Sequence, residues 1–337
     1  MNSSKPAMLA ELVCPSCKVE IVPAGGDWKC PACSRPFTYN RGILSFLTPQ
    51  ERFNEGSYEQ KQIAAWTYSA DLRNKIRTSK PLTFLNWVRV NLSLSGRRDR
   101  IFWREMKKRR GPNCVVLDIG CGGGRHYFCD YGKVIGVDPV LPLLQLAQKI
   151  YAEVYQSGGT SLPFGDNSFD YVVSSDVLGH ISPNQKDQLF AEIYRVLKKG
   201  GRTIHCAEAE STSPWYRFAH LYPELFQTHF VDKPGHIGME LPSEWRRRFL
   251  KHGFKEITFK KLASRVQEPG TLTALFDNEY KTKSATIRAL VAVDRLLSRS
   301  FLVKEVLNFA LEPLATLDGW ASPFDYASGV LVTYEKP

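Results

Sequence analysis

The chain has 337 residues, of which 43% are apolar and 23% charged, and its formal net charge is +11. That length accommodates one sizeable α/β core with a small satellite module, and the composition excludes a disordered or fibrous chain. No run of about 18 uncharged apolar residues occurs, so no membrane-spanning helix is expected, while the positive charge invites a polyanionic partner such as RNA or anionic lipid.

The N-terminus, MNSSKPAMLAELVCPSC, lacks an apolar stretch of signal-peptide length, and a cytoplasmic chain is expected. Cys14-Pro-Ser-Cys17 and Cys30-Pro-Ala-Cys33 then form C-x2-C-x12-C-x2-C. Paired cysteines in an intracellular chain point to metal rather than to disulfides. Four thiolates complete a tetrahedral zinc shell and leave no position for a substrate water, so the metal is expected to be structural. Between the pairs, Gly25 and Gly26 mark a hairpin reversal. With the Gly-Ile turn at Gly42-Ile43, residues 12–47 resemble the zinc ribbon related to the activator subunit of tRNA and protein methyltransferases. Residues 1–47 are therefore taken as a zinc ribbon.

Residues 48–112 read as a helical linker or cap with an aromatic stripe (Tyr58, Trp66, Tyr68, Phe84, Trp87, Phe102 and Trp103) and a basic run from Arg97 to Arg110. The basic run is expected to be a solvated helix face, with an RNA-binding surface as the alternative.

The next stretch, Cys114-Val-Val-Leu-Asp118-Ile-Gly120-Cys-Gly122-Gly-Gly124, is an apolar run ending in an acid and then glycines. It reads as a buried parallel strand followed by a tight turn whose backbone can approach a ligand. A dinucleotide fingerprint starting at Gly120 would need glycine at 125, where Arg125 stands. Asp118 would also repel a pyrophosphate, whereas the ammonium and sulfonium of S-adenosylmethionine are attracted to it. A second strand, Val134-Ile-Gly-Val-Asp138, ends in an acid suited to ribose hydroxyls, and 141–153 is expected as the crossover helix.

These stretches, together with Leu162-Pro-Phe-Gly-Asp-Asn-Ser-Phe-Asp and Glu192-Ile-Tyr-Arg-Val-Leu-Lys-Lys-Gly-Gly, stand in the order found in class I methyltransferases. The chain resembles in particular the group that includes ubiquinone and menaquinone biosynthesis enzymes. The resemblance implies an α/β fold, Rossmann-like, with a mostly parallel seven-stranded sheet and helices on both faces. It implies S-adenosylmethionine as cofactor, with Asp118, Gly120 and Gly122 at its methionine portion, Asp138 at the ribose, and Ser174 or Ser175 lining the site. Two positions depart from the group's pattern: Gly158 stands where an acid often bonds the adenine amine, and Gly179 where a Glu precedes His180.

Residues 113–337 are taken as the catalytic domain, with insertions at 209–242 and 262–320. The aromatic, His-rich 209–242 segment is expected to form the substrate wall, because loops at the carboxyl ends of parallel strands meet above the cofactor. The 262–320 segment is expected to be a helical hairpin that enlarges the core, ahead of a lid, a membrane contact or a dimer face. Candidate bases are His180, Glu208 and His229, with Glu210 and His236 behind them. The expected function is methyl transfer to a small or lipid-linked metabolite. The alternatives are an rRNA or tRNA base, suggested by a resemblance to ribosomal guanine methyltransferases with a zinc module, and a non-catalytic scaffold.

Overall fold

The computed structural model describes residues 9–24, 27–47, 102, 105–106, 111–232, 235–262, 269–276 and 284–337. Four short strands lead: β1 (Val22–Ala24), β2 (Asp27–Lys29), β3 (Pro36–Asn40) and β4 (Ile43–Ser45). The Gly25-Gly26 reversal lies outside the described residues, between the paired Ala24 and Asp27. The stripe and basic run of 48–112 lie outside them too, except Phe102, which is buried.

Seven strands form the main sheet: β5 (Val115–Ile119), β6 (Lys133–Asp138), β7 (Glu153–Gln156), β8 (Phe169–Ser175), β9 (Leu197–Glu208), β10 (Lys255–Leu262) and β11 (Gly329–Glu335). Their spatial order is β7-β6-β5-β8-β9-β11-β10, parallel from β7 to β9, with β11 antiparallel to both its neighbours. The order reverses between β5 and β8, and a ligand crevice opens above such a reversal. Helices α1 (Leu141–Ala147), α2 (Pro183–Val196) and α5 (Pro242–Lys251) connect these strands, and α3 (Pro214–His220) and α4 (Pro223–Phe226) lie in the first insertion.

The crossover helix is shorter than 141–153. It ends at Ala147, and the following turns bring Ala152 N–H to the Val134 carbonyl at 3.0 Å, so the chain joins the sheet at Glu153. α5 ends beside Gly253, whose φ of +85° makes the left-handed exit that a side chain would oppose.

The ribbon is built onto this sheet. β4 pairs in parallel with the β7 edge through Ser45 and Gln156, and Phe46 N–H donates to the Gln156 carbonyl at 2.8 Å. Leu12, Trp28, Phe37, Leu44 and Phe46 share one continuous core with Leu117, Val172 and Phe190. Lys18 reaches α2, its Nζ 2.8 Å from Glu192.

The second insertion carries α6 (Thr271–Leu275), α7 (Ala285–Arg299) and α8 (Phe301–Ala321). It departs from the expected core-enlarging hairpin. On α7 only Ile287 and Val291 join a satellite cluster with Tyr216, Phe226 and Phe276, while Leu290, Val293 and Leu297 are exposed. The aromatic residues of 209–242 mostly pack in this same cluster rather than lining the crevice.

Candidate cofactor and proton-transfer site

β5 and β6 pair with Asp118 opposite Gly136 and Ile119 opposite Val137, which puts Asp118 and Asp138 on one face of the sheet. Both carboxylates are buried. Burial pushes Asp118 up to about 7, against the stabilising hydrogen bond from Tyr151. Burial likewise pushes Asp138 up to about 6, opposed by backbone N–H groups from Val140 and Gly122 at 2.8 and 2.9 Å. Two acids held above their ordinary range at neutral pH form a site that favours an incoming cation, because a cation restores the ionised form.

The loop between them is shaped by glycine. Gly120, Gly122 and Gly124 have φ of +65°, +52° and +81°. A Cβ on Gly120 would lie 2.4 Å from Val177 Cγ2, so only glycine lets the turn close under the β8 exit. Cys121 is buried behind it and holds a thiol pushed well up by burial and by the two acids.

Tyr151 is a site residue the sequence reading passed over as part of a helix. Its hydroxyl donates to Asp118 Oδ2 at 2.7 Å and accepts from Arg125 N–H at 2.8 Å. It therefore fixes both the carboxylate and the end of the glycine loop. Only the early end of α1 frees it to do so, and no spacing rule marks that.

Ser174 and Ser175 alternate across β8 and part company. Ser175 shares the face of Asp118, and its hydroxyl donates to Asp176 Oδ2 at 3.1 Å. Ser174 points to the opposite face, where its hydroxyl lies 2.7 Å from His205 Nδ1. His205 is fully buried and held down to about 3 by desolvation, so this is a neutral packing contact away from the crevice. The strand's period of two is the reason that one serine of the pair cannot line the site.

At the outlet of β8, Asp176 adopts φ +62°, an uncommon conformation for a non-glycine residue. Arg125 stands 3.9 Å from its carboxylate. The next turn, Leu178–His180, presents His180, and the first insertion returns His236 beside it with ring centroids 4.9 Å apart. His180 Nδ1 lies 3.0 Å from the Gly235 carbonyl and His236 Nδ1 2.9 Å from the Phe230 carbonyl. A carbonyl only accepts, so each Nδ1 carries the proton and each Nε2 keeps its lone pair. His236 Nε2 faces Glu208 Oε1 at 3.9 Å. Burial lowers both histidines from their ordinary value, which keeps them neutral and able to accept a proton.

The structure thus gathers His180 and Glu208 with His236. Glu210 stands apart, 3.3 Å from His220, and His229 is half-buried in the π-helical turn Gln227–Asp232. The return that carries His236 is braced by Lys186, another residue without a sequence signal. Its buried Nζ bonds the Gly238 carbonyl and lies 3.8 Å over the Trp245 ring, and burial brings it down to about 8 despite Glu240.

In the ribbon, the four cysteine sulfurs lie within 4.8 Å of one another. The two turns repeat each other: Lys18 N–H donates to Cys14 O at 2.8 Å and Ser34 N–H to Cys30 O at 2.9 Å. Lys18 and Ser34 are both left-handed, with φ of +56° and +59°. The Cys14–Cys33 sulfur separation is 3.8 Å, about the edge of a tetrahedron with 2.3 Å metal–sulfur bonds.

The family described as a methyltransferase domain matches residues 117–205. The probable tRNA methyltransferase 9B of Bos taurus is 32% identical over 103 residues, covering 30% of this chain but only 23% of that protein. The demethylmenaquinone methyltransferase of Lactiplantibacillus plantarum is 31% identical over 212 residues, covering 52% of this chain and 86% of that protein. Among solved structures, phosphoethanolamine N-methyltransferase 2 of Haemonchus contortus is 18% identical with a TM-score of 0.45, covering 74% of this chain and 56% of that one.

Proposed function

The chain belongs to the class I S-adenosylmethionine-dependent methyltransferases, and from that premise we propose that it methylates a small or lipid-linked metabolite. The observation that carries the reading is the pair of buried acids, Asp118 and Asp138, on either side of the glycine loop. They fit a cofactor that is cationic and has no pyrophosphate. In this reading Asp118, Gly120 and Gly122 hold the methionine portion, and Asp138 holds the ribose while its backbone bonds fix its orientation. When bound, the cofactor supplies an electrophilic methyl group.

The chain's own residues then orient an acceptor in line and take up its proton. His236 is the best placed of the candidate bases, since Glu208 stabilises the imidazolium formed at Nε2, and His180 packs against it. The lipid-linked class is favoured because the quinone-methylating relative is matched over most of its length. A tRNA base is the second reading, supported by relatives matched over about a quarter of theirs. In the ribbon, Cys14, Cys17, Cys30 and Cys33 would hold a structural zinc ion, whose thiolates fit a reducing, cytoplasmic compartment.

The test is transfer of labelled methyl from S-adenosylmethionine into lipid, metabolite and RNA fractions of a cell extract. Label in the lipid or metabolite fraction is the expected result. Label confined to RNA would replace the acceptor class, and no label in any fraction would contradict the enzyme reading.

A further inference from the structure

Among its described side chains, the hairpin of α7 and α8 turns many apolar residues outward. Along α7, Ile287, Val291, Asp294 and Ser298 recur at helical spacing and face the body of the protein. Asp294 is engaged there, accepting from Gly270 N–H and from the Thr273 N–H and hydroxyl, each at 2.8 Å. Leu290, Val293 and Leu297 form a separate, exposed face, and Arg288, Arg295 and Arg299 form a third, also exposed.

α8 also exposes apolar residues, over a greater length. Lys304 and Asp318 are turned toward the body, Lys304 Nζ lying beside Gly270 and Asp318 accepting from the Ser322 hydroxyl at 2.7 Å. The opposite side presents Val303, Val306, Phe309, Leu314, Leu317 and Trp320 to solvent, the last 85% exposed. A 21-residue helix is roughly 30 Å long, so this is an extended apolar surface rather than a scatter of single residues. No helix among the described residues is long and apolar enough to cross a membrane.

We propose that this hairpin docks on an anionic lipid surface, with α7 and α8 lying in the interface plane. An exposed apolar stripe on a helix whose other exposed face carries arginines is the pattern of helices that bind in the headgroup region, and tryptophan at a helix end suits the same depth. Charge selects this occupant. Arg295 and Arg299 are exposed on α7, and pairing two copies through this helix would bring these arginines of like sign together. An anionic bilayer neutralises them instead.

The experiment is sedimentation of the full chain with vesicles of phosphatidylcholine alone or mixed with phosphatidylglycerol. Binding to the mixed vesicles should be at least about tenfold tighter than to the neutral ones, and should weaken as salt is raised. Leu314→Glu with Leu317→Glu should cut binding to the mixed vesicles at least about tenfold while leaving thermal unfolding unchanged. Arg295→Glu with Arg299→Glu should remove the preference for anionic lipid. Equal sedimentation of wild type and both variants would overturn docking. A concentration-dependent dimer that the leucine variant splits, without vesicle binding, would overturn it in favour of a second copy. Docking and methyl transfer can fail separately, because the vesicle assay contains no cofactor.

Discussion

The N-terminal ribbon and the C-terminal hairpin are both additions to the same seven-stranded sheet, and they treat their apolar residues in opposite ways. The ribbon has little interior of its own, yet Leu12, Trp28, Phe37 and Phe46 are sealed into the main core and β4 extends the sheet. The hairpin is longer and more apolar, yet it buries its polar Asp294 contacts and leaves Leu314, Leu317 and Trp320 in water. Apolar content alone therefore does not say whether an added segment supports the fold. What decides is which face meets the body, and that face is set by the contacts of a few residues.

The largest expected effect lies at the four-cysteine cluster. If the ribbon shares the core and its cysteines hold the proposed zinc, Cys30→Ser should abolish zinc binding and lower a single unfolding transition of the whole domain by at least about 10 °C, since structural zinc supplies folding free energy outright. Metal content and scanning calorimetry check this. A separate ribbon transition, with the main one unmoved, would show that the two parts are independent.

Side-chain truncation sharpens the same contrast. Phe46 is 1% exposed and packs 5.0 Å from Phe37 and 6.1 Å from Tyr155. Phe46→Ala should cost about 3–5 kcal/mol in denaturant unfolding. Leu317→Ala, at an exposed position on α8, should change stability by no more than about 0.5 kcal/mol. Equal losses at both positions would mean that the hairpin's outer side is buried in solution.

Much of the candidate crevice is legible in the sequence because its parts are contiguous. A buried strand, an acid and four glycines within ten residues leave few chemical options, and the second acid follows at the end of the next strand. The cysteine pairs were legible for the same reason. Features that depend on long-range return were not. Tyr151 reaches Asp118 only because α1 stops early, and His236 reaches His180 across 55 intervening residues that include α2, β9 and the start of the insertion. Ser174 needed only the strand's alternation to be set aside. The hairpin's periodicity announced amphipathic helices, but periodicity cannot say which stripe will face the protein.

In the proposed function, Asp118 and Asp138 bind a cationic methyl donor in their ionised forms. With these acids raised to about 7 and about 6, protons compete with the cofactor as the pH falls, so affinity should be full only above about pH 8 and decline as the pH falls through 7 and 6. Calorimetric titration with S-adenosylmethionine should show roughly tenfold weaker binding at pH 6 than at pH 8, and Asp138→Asn should weaken binding at both. Affinity that is flat across this range, and unchanged by Asp138→Asn, would contradict the account.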